Sequence, residues 1–179
     1  MKSTKYLFLS AIFAMTLVIV ISNILVSIPI NNWLTWWAFS FPLVYLVIDL
    51  SNRSLGPKSA RQVAWFSLPI AVLASWYFAD WRIACASGTA FIAGQMLDIT
   101  FFNFLRKQSW WKAPWVGSII GSVIDTILFF SIAFAGTELN WIQLATGDLS
   151  IKWIMASVLL IPYRLLITIL STWWRSKNS

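Results

Sequence analysis

The chain has 179 residues, 59% of them hydrophobic and 11% charged, against about 25% charged in an average soluble domain. A soluble fold of this length cannot hide 13 Trp and 13 Phe, so the natural solvent of this chain is a bilayer. The net charge of +7 sits in short connectors between apolar runs, with no basic tail or module, which argues against a nucleic-acid partner.

The first apolar segment, Tyr6–Ile28, follows the basic start MKSTK. It is too long for a signal-peptide core and leads into another apolar run, so it reads as a retained helix. The second and third, Trp33–Ile48 and Val63–Phe78, have 16 residues each and cross only if flanking side chains snorkel or the bilayer thins. The fourth, fifth and sixth are Ile83–Leu105, Trp115–Ala135 and Ile151–Trp174. Each, like the first, exceeds 20 residues, enough for a core about 30 Å thick at about 1.5 Å per residue. Pro42, Pro69 and Pro162 interrupt three of the segments. Connectors are brief, so residues 1–179 read as a single all-α membrane domain of six transmembrane helices.

Lysine and arginine set its orientation. With both termini inside, the cytoplasmic pieces carry ten, including Lys2, Lys5, Arg53, Lys58, Arg61, Arg175 and Lys177. The external loops hold two, Arg82 and Lys152, with Arg164 counted as inside a helix. That bias predicts an N-in, C-in topology. Tryptophans such as Trp33, Trp36, Trp37, Trp110, Trp173 and Trp174 cluster near predicted helix ends as interfacial anchors.

Several chemistries are excluded. Cys85 is the one cysteine, so there is no intrachain disulfide, and without histidine there is no Ser-His or Cys-His hydrolase and no His-based metal site. No phosphate-binding loop is present, so the chain does not hydrolyse ATP by itself. It does not read as an enzyme, and no cofactor is implied.

Three ionisable residues lie deep in predicted helices: Asp98, Asp125 and Arg164. Each costs at least about 2.5–3.5 kcal/mol at a helix centre, so each should face a bundle interior or an aqueous cavity. Counted from the cytoplasmic ends they share one slab and can meet, with Arg164 holding one carboxylate ionised. A buried ion-pair cluster that only pins helices would explain part of this, but two acids and one base leave a surplus negative charge. A proton, a cation or a ligand rich in hydrogen-bond donors would balance it.

The two acids lie in similar runs, GQMLDITFF (Gly94–Phe102) and GSVIDTILFF (Gly121–Phe130). Ala86, Ala90, Gly94 and Asp98 recur every four residues, as do Gly117, Gly121 and Asp125. Small residues at that spacing let helices approach closely. The fourth and fifth segments therefore read as a close pair with a carboxylate from each facing a shared cavity. Gln95 lies almost on the face of Asp98. Ser87, Thr100, Ser118, Ser122 and Thr126 are neutral polar neighbours, and Asn23 should point inward from the first helix. A pocket of aromatic faces, carboxylates and an amide suits a flat heterocycle with a guanine-like donor edge, and suits a cationic amine too.

The loop NRSLGPKSAR (Asn52–Arg61), the run ASGTAFIAGQMLDITFF (Ala86–Phe102) and WWKAPWVGSIIGSVIDTILFFSIAF (Trp110–Phe134) together resemble the queuosine precursor transporter family, also described as vitamin-uptake-transporter-like. The resemblance implies a bacterial inner-membrane importer of 7-deazaguanine precursors such as 7-cyano-7-deazaguanine. It also implies a six-helix fold similar to the substrate-binding components of energy-coupling-factor transporters. Matching positions are the Gly56–Arg61 loop, Ser87, Phe91, Gln95, Asp98, Ser122, Asp125, Thr126 and Phe129. With Asn23 and Arg164 added from the residue reading, the expected substrate site is Asn23, Ser87, Phe91, Gln95, Asp98, Ser122, Asp125, Thr126 and Arg164. The competing reading is a small helical scaffold or assembly factor whose buried charges only secure packing. The energy source stays open between a proton gradient, facilitated diffusion and a partner ATPase. A homo-oligomer stays open too, and Ser10 and Ala14 offer a small-residue face for docking a coupling module.

Overall fold

The computed structural model describes residues 2–25, 28–31 and 34–178. Trp33 lies outside them, as do the side chains of Lys2, Trp173, Trp174, Arg175 and Lys177. Eight helices and one small strand pair follow in chain order among these residues. They are α1 (Lys2–Leu25), β1 (Pro29–Asn31), β2 (Leu34–Thr35), α2 (Trp37–Ser40), α3 (Leu43–Leu55), α4 (Pro57–Phe78), α5 (Trp81–Leu105), α6 (Lys112–Phe134), α7 (Trp141–Val158) and α8 (Leu160–Asn178).

Four stretches are long and apolar enough to cross a membrane: Thr4–Leu25, Trp81–Leu105, Lys112–Phe134 and Trp141–Thr172. Large apolar side chains point outward on most helices, among them Phe13 at 70%, Tyr77 at 84% and Phe104 at 81% exposure. A surface of that kind is stable only in lipid, and the protein is a multi-pass membrane protein.

The second segment is not one helix. β1 and β2 pair antiparallel, with Pro29 opposite Thr35 and Asn31 opposite Leu34. Pro29 has no N–H to continue a helix, so the chain extends there. α2 then ends at Phe41-Pro42, and α3 runs seven residues beyond the predicted end at Ile48. The expected loop Asn52–Arg61 is mostly helix. Only Gly56 separates α3 from α4, with φ +86°, a conformation open to glycine and strained for other residues. Pro57 then starts α4, where its missing N–H is harmless. Pro69 sits within α4, which runs on past it.

The sixth segment starts ten residues earlier than predicted. Asn140 caps α7, its side-chain oxygen accepting from the Gln143 N–H at 3.4 Å. The helix breaks at Leu159, three residues before Pro162. Asp80 caps α5 in the same way, accepting from the Ile83 N–H at 2.9 Å. Arg82 turns back to the other end of the neighbouring helix and donates to the carbonyls of Ile132 and Ala135 at the α6 terminus.

The apolar core lies between α1, α3, α4 and α5, around Met15, Ile19, Val44, Ile48, Val63 and Phe91. A smaller cluster of Phe102, Ala113 and Tyr163 joins α5, α6 and α8. At that end Asn52 donates to the Ile99 carbonyl at 3.2 Å and Arg53 to the Arg106 carbonyl at 2.9 Å, tying α3 to the end of α5.

Candidate functional site

The site begins where α5 and α6 touch. A Cβ on Gly94 would come within 2.9 Å of the Asp125 Cβ and 3.0 Å of the Gly121 carbonyl. One on Gly121 would meet the Gly94 carbonyl at 2.8 Å, and one on Gly117 would overlap the Asp98 carboxylate. The two glycine rows therefore do what their spacing predicts and let the backbones meet. Asp98 lies across the α6 surface as a result. It is fully buried, and neither carboxylate oxygen has a hydrogen-bond partner. Gln95, one turn earlier, is equally buried, with neither amide atom partnered.

One turn further along the same face of α6, Asp125 meets a cation that the sequence reading placed in an external loop. Lys152 of α7 is buried, its ammonium 2.7 Å from Asp125 Oδ2 and 2.7 Å from Asp148 Oδ2. It also donates to Thr126 Oγ1 at 3.0 Å, while the Thr126 hydroxyl donates to Asp148 Oδ2 at 2.9 Å. The rings of Trp37 and Phe41 cover the ammonium at 5.1 and 5.3 Å. The ammonium is fully engaged by this triad, while Asp148 Oδ1 is left without a partner and one negative charge remains in surplus.

Beside the triad lies a cavity of about 20 Å³, lined by Tyr45 and Asp49 of α3, Ser118 and Ser122 of α6, Lys152 of α7 and Tyr163 of α8. That volume suits a single water. Ser118 donates to Asp49 Oδ2 at 3.3 Å, whereas Asp49 Oδ1 and the hydroxyls of Tyr45 and Tyr163 have no partner. Four carboxylates, Asp49, Asp98, Asp125 and Asp148, and one ammonium, Lys152, make up the buried ionisable acids and bases among the described residues. The surplus negative charge is thus larger than two acids and one arginine suggested.

Comparison with known proteins assigns the chain. Residues 71–167 match the model of a family described as putative vitamin uptake transporter. The queuosine precursor transporter of Escherichia coli (strain K12) is 35% identical over 187 residues, covering 88% of this chain and 84% of that one. The chain belongs to the queuosine precursor transporter family. A probable queuosine precursor transporter of Haemophilus influenzae is 32% identical over 154 residues, 72% of this chain and 66% of that protein. No solved structure matches it.

The matched stretch of this family member contains Asp98, Asp125, Asp148 and Lys152, while Tyr45 and Asp49 precede it. The predicted residues fall in four places. Gln95, Asp98, Ser122, Asp125 and Thr126 gather around the α5–α6 seam and the cavity, with the Ser122 hydroxyl donating to the Ile119 carbonyl at 2.9 Å. Asn23 and Ser87 form a separate link. Ser75 Oγ of α4 lies 3.0 Å from Asn23 Oδ1 and 3.1 Å from Ser87 Oγ, joining α1, α4 and α5. Ser87 precedes Asp98 by eleven residues, about 16 Å along α5, so this link does not reach the acids. Phe91 packs in the apolar core and not against the cavity.

Arg164 is the clearest correction. It is exposed and stacks on Trp110 at 5.0 Å, beside a surface groove that includes Arg53. It forms no ion pair with Asp98 or Asp125. The one-residue break at Leu159 resets the helical phase and turns Arg164 outward, where stacking and interfacial water satisfy it. Lys152 takes the role expected of it. Thr100 is exposed and donates to its own helix, at the Met96 carbonyl.

Residue reading missed Tyr45, Asp49, Asp148, Lys152 and Tyr163. One signal was available. Asp148 and Lys152 stand four apart, the spacing of an acid–base pair on one helix face.

Proposed function

We propose that this chain imports 7-deazaguanine precursors of queuosine, 7-cyano-7-deazaguanine or 7-aminomethyl-7-deazaguanine, across the bacterial inner membrane to supply tRNA modification. The observation that carries this reading is the 35% identity to a queuosine precursor transporter over most of both chains. The unpaired polar groups at the α5–α6 seam support it chemically. In this reading Asp98 accepts the ring N–H and exocyclic amine of the guanine-like edge, and Gln95 bonds the neighbouring carbonyl and nitrogen. Ser122 lies at the wall of the site. Asp125 and Thr126 act indirectly, by holding Lys152 and so α7.

A small-molecule site typically encloses about 300–1,000 Å³, far more than the present cavity, so loading must both part α3 and α6 from the α7–α8 hairpin and loosen the α5–α6 seam that covers Asp98. The break at Leu159 and Pro162 is the natural hinge. We place six crossings in one domain: α1, α2 with α3, α4, α5, α6, and α7 with α8. Both ends lie inside, in the manner of energy-coupling-factor substrate-binding components. With Lys152 moved into the bundle, the external side keeps only Arg82 from the earlier count, which strengthens the orientation bias.

A scaffold reading draws on the Lys152 triad, which is a good packing device. It gives no purpose to Asp98 and Gln95, which are buried and unpaired at a cost that packing alone does not return. The test is nutritional. In a strain lacking both precursor synthesis and its own importer, expression of this chain restores queuosine in tRNA at low external precursor. Failure to restore it with the protein present in the membrane contradicts the reading.

A further inference from the structure

We propose that Asp49 and Asp98 share a coupling proton, so that precursor uptake is a proton symport. The inference rests on the transport reading above and adds the driving ion and a residue, Asp49, that the sequence did not single out.

Lys152 is fully engaged by Asp125 and Asp148. Among the described residues, neither Asp49 nor Asp98 has an ion-pair partner. Asp98 is 0% exposed with both oxygens free, and Asp49 is 3% exposed with Oδ1 free. Two isolated carboxylates this deep cannot both stay charged, and a proton shared between them relieves the burial of one charge. Asp98 lies so close to Gly117 that no side chain at that position could supply a cation.

Neutral groups point the same way. Gln95 and the hydroxyls of Tyr45 and Tyr163 are buried and unpartnered beside the acids. Asp98 lies against Gly117 and Asp49 is held by Ser118, the next residue of α6. Both tyrosines and Asp49 line the one-water cavity, and Tyr45 also reaches the seam, its hydroxyl 3.0 Å from where a Cβ on Gly94 would sit, so Tyr45 bridges the cavity and the Asp98 side. The surrounding charged and titratable groups are accounted for element by element. From α3 come Tyr45 and Arg53, the latter donating to the Arg106 carbonyl. From α5 comes Arg106, which reaches back toward the Arg53 carbonyl at 3.5 Å. From α6 and α7 come Asp125, Asp148 and Lys152, joined to one another with Asp148 Oδ1 left free, and from α8 comes Tyr163. None of the cations in this ring pairs with Asp49 or Asp98.

The cycle follows. Asp98, ionised, accepts the two N–H donors of the precursor while Asp49 holds the proton. Substrate and proton load together, cross together and leave together, one proton for each uncharged precursor.

The test uses the purified full chain in liposomes with the membrane potential clamped at zero and uncharged 7-cyano-7-deazaguanine as the probe. Exchange of labelled for unlabelled probe is measured in parallel. With the outside one pH unit more acidic, symport predicts about tenfold accumulation, and a lumenal pH dye reports acidification when substrate enters. Exchange with neither accumulation nor acidification overturns the coupling and leaves the transport reading standing. Absence of exchange overturns both. In Asp49→Asn the accumulation ratio falls to about one, because a single proton site is the whole coupling. A D49N protein that still accumulates tenfold overturns the assignment to this pair. Should D49N fail to insert, Ser118→Ala removes the hydroxyl held to Asp49 and moves the pH midpoint of uptake upward. An unmoved midpoint counts against Asp49.

Discussion

Lys152 is the residue whose removal should be felt most in folding. It balances two buried carboxylates, and Lys152→Met leaves both without a cation. The expected loss is roughly 3–5 kcal/mol, read as a lower unfolding midpoint in detergent. Replacing Lys152, Asp125 and Asp148 together by apolar or amide groups should recover most of it, because the desolvation of all three charges is removed at once. An unchanged midpoint for K152M would show that the triad is open to water. The sequence made Asp98 and Asp125 legible because each follows a glycine by four residues inside an apolar run. It hid Lys152 because the polar residues Gly147, Asp148, Ser150 and Lys152 lower the local hydropathy as a loop would. They are polar yet helical because the first charges satisfy partners inside the bundle and Ser150 bonds its own helix, at the Thr146 carbonyl. Asp49 was hidden in a different way. It falls one residue past the apolar run ending at Ile48, and nothing local distinguishes a helix that continues from one that stops.

At the scale of the element, the α5–α6 seam and the α7–α8 break make different demands. The seam needs glycine. Gly121→Ala puts a methyl within 2.8 Å of the Gly94 carbonyl, and rigid backbone cannot yield cheaply. The expected cost is about 1–3 kcal/mol, with Asp98 displaced and uptake reduced. Wild-type thermal stability in G121A would mean that the helices part without penalty. The break, by contrast, is proposed to move. Pro162→Ala restores the missing N–H and favours a straight α7–α8 helix. Stability should hold or rise while the uptake rate falls, and a rate equal to wild type would remove the hinge. The seam was readable because close approach has a sequence signature of small residues every four positions. The break was readable only as a proline, since the same residue passes without interruption inside α4 at Pro69.

The whole molecule tests the arrangement in the membrane. Charge bias and span count together predict that the α5–α6 connector faces the cytoplasm and the α6–α7 connector the outside. Single-cysteine variants check this on a background of Cys85→Ser. Thr137→Cys should react with a membrane-impermeant maleimide in intact cells, and Ser109→Cys only after the membrane is opened. The reverse pattern would invert the topology. The overall class was legible from composition alone, because no soluble packing absorbs this much aromatic surface. The strand pair at Pro29–Thr35 and the unbroken passage from Gly56 into α4 were not, because both depend on local backbone geometry that hydropathy averages away.

The central claim is that the unpaired carboxylate of Asp98 receives a deazaguanine. Its most direct test is saturable uptake of labelled 7-cyano-7-deazaguanine by cells that cannot make it, comparing wild type with Asp98→Asn at equal membrane levels. Loss of charge-assisted hydrogen bonds to the donor edge predicts uptake lower by at least about tenfold in D98N. Wild-type cells without saturable uptake, or D98N transporting as well as wild type, would contradict the account.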